Sequence, residues 1–550
     1  MTGQWGRPSG GRVRRQLRAH RTGWLLAAAI GLGVILRLRL LSVPFERDEG
    51  EYAYAGQLML QGIALYDHAY TMKLPGVSTL YAGMMLLFGQ THTGIHFGLL
   101  LINALTSWLI FAVGKRLVGT FAGVTAAAFF AVTSTLPGVQ GLWANAEHFV
   151  LPFALSGILS FWHWLGDRRE RYLIASGVLL GCGVLMKQHA AAFLLFVGLC
   201  LSWELFIART GHWPPAAKSL ASFAAGAALP IGITALIVFA LDNFESFLFW
   251  TTEYALGYGT GNTLEQGVAN LLRKGGPLWR QASAIGLLAA VSPLCLDWSP
   301  TRRFDSARLC LLALLSFLSV CPGLFFRPHY FILLLPAVAL LAGASLARCH
   351  QLLCEYTHNG LLRILPGLLA IAVVGVTILL NQDYLIHASP EQVLRRTYGI
   401  NPFAEAVVIG EYLRENTRED EKIAVIGSEP QIYFYAQRQS ATSFIYTYPL
   451  MEDQPRAKAM QQQMAREIEA AAPPYLVYVN DASSWKMSRR SDRLIFNWLS
   501  GYLNQYQIVG WSEANLETPV VHWGEPENWP PKSPAWTAVY RRIEERPPRR

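Results

Sequence analysis

The sequence predicts a polytopic α-helical membrane protein with about eleven spanning helices and a small C-terminal α/β domain outside the membrane. Three observations predict it. The chain of 550 residues is 52% hydrophobic and only 15% charged, with a mean hydropathy of +0.26, values rarely combined in a soluble protein. Long apolar runs such as Trp24 to Leu36 and Phe331 to Leu346 recur along it, and about 20 apolar residues suffice to cross a bilayer. After about residue 385 the composition turns to that of a soluble domain.

The apolar runs place spans near 23–43, 94–114, 118–136, 148–165, 171–187, 190–208, 218–241, 281–298, 307–325, 330–348 and 361–381. Segment 74–89 is short, opens on Pro75-Gly76 and closes on Gly89, so it is expected to be re-entrant or interfacial. With that choice, Lys115, Arg116, Arg168, Arg169, Arg171, Arg209, Lys218, Arg302, Arg303, Arg308, Arg348 and Arg363 fall on one side. The other side keeps fewer cations after its first loop: Lys187, Arg273, Lys274, Arg280 and Arg327. The positive-inside rule then makes residues 1–22, with Arg7, Arg12, Arg14, Arg15, Arg18 and Arg21, a basic cytoplasmic N-terminus. No small-residue cleavage site follows the first apolar run, which reads as an uncleaved anchor. The net charge of +9 follows this loop asymmetry and not a nucleic-acid footprint. An inner-membrane location with residues 385–550 extracytoplasmic is expected.

In that C-terminal segment, helices are expected at 403–416, 456–471 and 489–503, with strands at Ile423–Ile426, Tyr475–Val479, Tyr506–Trp511 and Trp536–Tyr540. The alternation suggests a small doubly wound domain. The tail from Pro526, rich in Pro and Arg, reads as loose. Gly427 follows a strand without a G-x-G-x-x-G fingerprint, and neither a D-x-D pair nor a Walker A loop is present, so a soluble nucleotide donor is not supported. The seven cysteines lie in or beside apolar spans at spacings that fit neither zinc nor disulfides.

Unusual polar residues then collect on the outer side of the predicted spans. The first outer loop, about 44–93, carries Glu46, Arg47, Asp48, Glu49 and Glu51, followed by Lys73. Asn145 and Glu147 begin the fourth span, Lys187 and Gln188 lie between the fifth and sixth, and Arg327, His329 and Tyr330 precede the tenth. Each group has a plain alternative: loop solvation for the acids, snorkelling for Lys187 and Arg327, an interfacial belt for the aromatic rings. Charges at membrane depth are costly unless paired or hydrated, and their convergence favours function. Carboxylates facing cations suit transfer from a lipid-linked phosphate. An acid can take a proton from an acceptor hydroxyl, and Lys, Arg and His can neutralise the departing phosphate.

The stretch RDEGEYAYAGQLMLQGIALYDHAYTMKLPGVSTLYAGMMLLFG (Arg47 to Gly89) resembles the first outer loop of bacterial GT-C glycosyltransferases related to protein O-mannosyltransferases. That superfamily includes the aminoarabinose transferases and the lipopolysaccharide galacturonosyltransferases. ANAEHFVLPF from Ala144, LMKQHAA from Leu185 and RPHYFILLLPAVALLAG from Arg327 resemble further family segments in the expected order. The resemblance covers roughly residues 20–350. It implies a GT-C-like transmembrane domain at 23–384, a polyprenyl-phosphate sugar donor and inversion at the anomeric carbon. It also implies Asp48 as catalytic base with Glu49 beside it, and Lys73 at the donor phosphate; from their side of the membrane and their charge, Lys187, Arg327 and His329 are expected to join Lys73 there. Asn145, Glu147, Gln188 and Tyr330 are candidates for sugar or acceptor binding. The resemblance allows a divalent metal at the acid cluster, although two carboxylates without a ligand set do not establish one. Two departures argue against aminoarabinose as the sugar: Met72-Lys73-Leu74-Pro75 replaces a Glu-Lys-Pro-Pro pattern, and Glu51 stands where that branch carries Arg. The expected partners are the lipid-linked donor, membrane lipid, and an envelope lipid, glycan or protein as acceptor, with no nucleic acid. A transporter or lipid flippase would instead bury charges mid-span and repeat its halves. A membrane-anchored ligand sensor would explain the C-terminal domain but not the acidic loop.

Overall fold

Every predicted span falls on a helix. In the computed structural model, which describes residues 10–207, 215–516, 519–527 and 529–543, these are Gly10–Leu38, His92–Leu117, Thr120–Thr133, Ala146–Asp167, Glu170–Met186, Ala191–Phe206, Ala216–Ala240, Ser283–Cys295, Arg303–Val320, Leu335–Tyr356 and Gly360–Leu380. Arg7, Arg209 and the last seven residues of the tail lie outside the described residues, as do the side chains of 10–19. Among the described residues, 7 helices are long and apolar enough to cross a membrane. Thr120–Thr133 and Ser283–Cys295 are apolar but shorter, Glu170–Met186 has 17 residues, and Arg303–Val320 carries Arg303, Asp305 and Arg308 in its first turns.

Close helix contact follows from small residues. Gly177 and Gly181, four apart on Glu170–Met186, lie so near Ala216–Ala240 that a Cβ would come 2.3 Å from Phe223 O and 2.5 Å from Ala227 O. This is the small-xxx-small solution to packing helices in lipid, where apolar burial alone does not drive association. The Arg37 guanidinium, which interrupts the end of the first span, turns inward and donates to Gly141 O and Ser134 O, each at 2.6 Å. It satisfies carbonyls of an irregular segment that would otherwise be buried without partners.

Helix Arg47–Leu60 follows the first span. It opens with a capping box: Glu49 N donates to Glu46 Oε1 at 3.1 Å, and Glu46 N donates to Glu49 Oε2 at 3.3 Å. Segment 74–89 forms the helix Gly76–Phe88, whose 13 residues span only about 20 Å at 1.5 Å per residue. It packs on Arg47–Leu60 and His92–Leu117.

The C-terminal domain holds the strands β1 (Ala424–Ile426), β2 (Tyr475–Asn480), β3 (Tyr506–Glu513), β4 (His522–Trp523) and β5 (Trp536–Arg542), in the order β1-β2-β5-β3-β4. Helices Phe403–Asn416, Ala457–Ala471 and Leu494–Tyr502 match the expected segments. Two expectations need correction. Only β1 and β2 pair in parallel, the other pairings being antiparallel, so the sheet is mixed and not doubly wound. The tail after Pro526 is also not loose throughout, because β5 lies in the middle of the sheet between β2 and β3. Its run of four buried residues, Thr537 to Tyr540, outweighs the Pro-rich composition around it.

This domain docks on the first-loop helix. Gly50 meets helix Gln431–Ala436 so closely that a Cβ would stand 2.5 Å from Gln431 N. Phe45 N donates to Tyr435 Oη at 3.0 Å, and Ser440 N donates to Tyr54 Oη at 2.8 Å. Both contacts join residues far apart in the chain.

Candidate active site

The first turn of helix Arg47–Leu60 sorts its acids by the helical repeat of 3.6 residues. Asp48 and Glu51, three apart, share a face. Lys73, at the end of the loop that returns across them, donates to Asp48 Oδ1 at 2.8 Å and to Glu51 Oε2 at 2.6 Å. Its ammonium also lies 4.3 Å from the centre of the Tyr52 ring. The Thr71 hydroxyl donates to Glu51, and Tyr66 Oη donates to Lys73 O at 2.9 Å, so the returning loop is fixed on both sides of the lysine.

Glu49 faces the other way. It is fully buried, with His96 Nε2 at 2.9 Å and Ala144 N donating to the same Oε1 at 2.5 Å. It therefore does not meet the cavities beside Asp48, against the expectation that the two acids act as a pair. Its bonds tie the first loop to the fourth span, a structural position.

Two cavities meet at Asp48. The larger, about 960 Å³, is lined by Asp48, His329, Arg327, Gln140 and Lys274 from the membrane domain and by Tyr448, Ser483 and Lys486 from the C-terminal domain. The smaller, about 60 Å³, is lined by Asp48, Glu51, Lys73, Arg327, Tyr446 and Tyr448. Asp48 Oδ1 is held by Lys73, with Tyr446 Oη donating to it at 3.3 Å. Oδ2 lies 4.0 Å from His329 Nε2, on the side of the larger cavity.

Burial by itself would raise the Asp48 pKa, but the charge of Lys73, with that of Arg327, outweighs it and holds the carboxyl well below the usual range. Burial first, then the charges of Asp48 and Glu49, push the neighbouring Glu46 well above the ordinary value. Neighbouring carboxyls with divergent pKa values are a feature of acid–base sites. His329 Nδ1 lies 3.0 Å from Gln140 Oε1, which requires the proton on Nδ1 and leaves Nε2 free toward Asp48. Burial, followed by the charge of Lys187, keeps this imidazole neutral.

Arg327 sits at the junction of both cavities and donates to Tyr258 Oη. Lys187 is ion-paired with Glu147 and lies 4.2 Å from the centre of the Tyr330 ring, which in turn stands edge-on to His329 at 5.0 Å. Lys187, Glu147 and Tyr330 thus form a layer behind His329 and not the cavity wall. Asn145 is fully buried with neither side-chain atom bonded, and Gln188 is exposed, its amide donating to Met72 O at 3.3 Å. Neither lines the cavities at Asp48.

A divalent metal does not fit this arrangement. The Lys73 ammonium occupies the position between the two carboxylates where a cation would bridge them. Among the described residues no cluster of three or more His, Cys, Asp or Glu side chains could hold an ion.

Some cavity residues gave no local signal in the sequence. Tyr446, Tyr448, Ser483 and Lys486 reach the site only because the C-terminal domain folds onto the first loop. Arg47 makes that junction: it donates to Ser428 O at 2.5 Å, to Tyr448 Oη at 2.8 Å and to Glu429 Oε1 at 2.7 Å.

The sequence model of the dolichyl-phosphate-mannose-protein mannosyltransferase family matches residues 67–238. No curated protein sequence matches the chain. Among solved structures, ArnT from Cupriavidus metallidurans bound to undecaprenyl phosphate is similar, with a TM-score of 0.55 at 14% identity, covering 94% of this chain and 98% of that one. The oligosaccharyltransferase of Archaeoglobus fulgidus in the apo form gives a TM-score of 0.55 at 13% identity, covering 92% of this chain and 75% of that one. The archaeal oligosaccharyltransferase AglB from Archaeoglobus fulgidus, in complex with an inhibitory peptide and a dolichol-phosphate, gives a TM-score of 0.52 at 12% identity, covering 94% of this chain and 75% of that one. The family match over residues 67–238 and the shared fold of these membrane proteins agree with the resemblance carried by the first loop.

Proposed function

We propose that the protein is an inverting glycosyltransferase that moves a sugar from a polyprenyl phosphate to an envelope acceptor on the outer face of the inner membrane. The observation that carries the proposal is the position of Asp48: one carboxylate oxygen is bound to Lys73 in the small cavity, and the other is turned to the large one. Direct displacement needs the leaving group and the nucleophile on opposite sides of the anomeric carbon. The small cavity, with room for about four waters by the usual volume per probe, suits a phosphate group between Lys73 and Arg327. The large cavity suits the sugar and the acceptor. ArnT bound to undecaprenyl phosphate and AglB with a dolichol-phosphate support a lipid phosphate as the leaving group.

In this reading the acceptor hydroxyl enters from the large cavity and gives its proton to Asp48 Oδ2 as the C–O bond forms. The bond from the anomeric carbon to the phosphate oxygen breaks, and the electron pair leaves on the phosphate. Lys73 and Arg327 stabilise that charge, which grows as the bond breaks. Donor binding first turns Lys73 from the two carboxylates toward the phosphate, which frees Asp48 to act as a base. Neutral His329 stands beside Oδ2 with its unprotonated Nε2 toward the large cavity, where it can accept a hydrogen bond from the acceptor, while Glu147 and Lys187 hold the Tyr330 layer behind it.

Mass spectrometry of envelope lipids and glycans, with and without the protein, tests the reading. Loss of one sugar mass from one envelope component is expected. An unchanged envelope, together with failure of the purified protein to release polyprenyl phosphate from any sugar-loaded form, would remove it.

A further inference from the structure

The large cavity carries cations for which the donor phosphate has no use. Lys274, on helix Leu264–Gln281, donates to Phe325 O at 2.7 Å. Lys486 comes from the C-terminal domain and lies 3.8 Å from the centre of the Tyr448 ring. Both line the large cavity and neither lines the small one. Among the described residues neither has a carboxylate within ion-pairing distance, whereas Arg47 and Arg456, which share the same wall, are paired with Glu429 and Glu253.

The fold presents Lys486 deliberately. β1 and β2 are the parallel pair, and ligands of α/β sheets gather beyond the carboxyl ends of parallel strands. The segment after β1 supplies Ser428 and Glu429 to Arg47, and the segment after β2 runs through Ser483 to Lys486. That second segment is pinned by Ser483 N donating to Asp481 Oδ1 at 2.7 Å and by Trp485 Nε1 donating to Val479 O at 2.7 Å. Lys486 itself has φ of 50°, a left-handed conformation disfavoured for a residue with a side chain and more frequent at functional sites. Exposed to the cavity, Lys486 is still crowded by its walls: desolvation, then Arg327 and Arg47, bring its pKa down to about 7. Desolvation and Arg327 bring Lys274 to about 8. Asp48 and Glu452 also face Lys486 but offset only part of this crowding, which an anion between the two lysines would relieve.

We propose that the large cavity has its own anion subsite, built on Lys486 with Lys274, and that the acceptor therefore carries a phosphate or carboxylate group near its accepting hydroxyl. This rests on the donor reading above, which assigns Lys73 and the small cavity to the lipid phosphate. The C-terminal domain then contributes directly to acceptor choice.

The test uses the purified full-length protein saturated with undecaprenyl phosphate and titrated with inorganic pyrophosphate, followed by calorimetry and by phosphorus NMR of both ligands. A parallel titration with D-glucuronate tells phosphate from carboxylate preference. One added binding event is expected while undecaprenyl phosphate stays bound. Lys486→Gln should weaken it about tenfold or more, Lys486→Arg should keep it, and both should bind undecaprenyl phosphate like the parent. Displacement of undecaprenyl phosphate by both anions, no added binding to the loaded protein, or equal binding by Lys486→Gln would overturn the subsite. If undecaprenyl phosphate itself does not bind, the donor reading fails separately, and the effect of Lys486→Gln on anion binding to the lipid-free protein decides this one.

Discussion

Lys73 Nζ lies 2.8 Å from Asp48 Oδ1 and is held on its other side by Glu51 Oε2 at 2.6 Å. One ammonium between two carboxylates leaves a net negative charge in a part-buried site. Replacing the cation by a neutral group would leave two like charges facing each other, which disfavours ionisation of both. The triad is thus set to exchange a partner: a phosphate that draws Lys73 away returns basicity to Asp48 at the moment a base is needed.

Asp48→Asn tests the base. The amide keeps the size of the side chain and can still accept from Lys73, but it cannot take a proton. Transfer should fall by about 10²- to 10⁴-fold, the usual contribution of a positioned base, with undecaprenyl phosphate binding changed only a few-fold. Single-turnover rates alongside equilibrium lipid binding would check both, and near-parent turnover would remove Asp48 from the role.

Lys73→Ala tests whether the ammonium stands in for a metal. The parent protein should be insensitive to chelators, because Lys73 bridges the carboxylates itself. The variant should lose most lipid-phosphate affinity. Its two freed carboxylates should also gain weak divalent binding, measurable as a rise in melting temperature with added Mg²⁺ or Mn²⁺. Chelator inhibition of the parent would contradict the assignment.

Glu147 and Lys187 test the layer behind His329. Glu147 is fully buried and Lys187 is its ion-pair partner. Removing one member, as in Lys187→Met, should destabilise the protein by about 3–5 kcal/mol, because a buried charge is left alone. The double variant Glu147→Gln with Lys187→Met should recover part of that loss. Thermal unfolding in detergent, with all three variants compared, would show the coupling.

Much of this was legible in the sequence, for reasons that differ by level. Spans such as Leu335–Tyr356 and Gly360–Leu380 announce themselves because lipid demands long apolar runs. Helix Phe403–Asn416 was legible from its apolar spacing. The choice between Asp48 and Glu49 was also available: residues three apart share a helix face and neighbours do not, so Asp48 with Glu51 was the pair that spacing favoured. β5 was partly hidden, because Pro and Arg around it dominate the composition while its burial depends on strands far away in the chain. Tyr446, Tyr448 and Lys486 carried no local pattern. Their place in the cavity comes from contacts such as Arg47 with Tyr448, which no spacing rule reaches.

The pH dependence of the acceptor side separates Lys486 from the donor side. Lys486 faces Arg327, Arg47, Asp48 and Glu452, and lies on the ring of Tyr448. Its pKa of about 7 is depressed from the ordinary lysine value, so the cation is fully present below that value and is lost as pH rises through it. Pyrophosphate affinity should therefore fall as pH is raised from about 6 to about 8. An arginine stays charged throughout this range, so Lys486→Arg should bind more tightly than the parent at pH 8 and keep only the residual slope set by Lys274, at about 8, and by the ionisation of pyrophosphate itself, and Lys486→Gln should be weak with that same residual slope. Asp48 lies well below its usual range and His329 is held neutral, so neither changes charge in this window. Undecaprenyl phosphate binding should follow only the second ionisation of its own phosphate, near pH 6. Calorimetric titrations of the parent and both variants at the two ends of the range would check it, and a pH slope in Lys486→Arg equal to the parent's would assign the effect to another group.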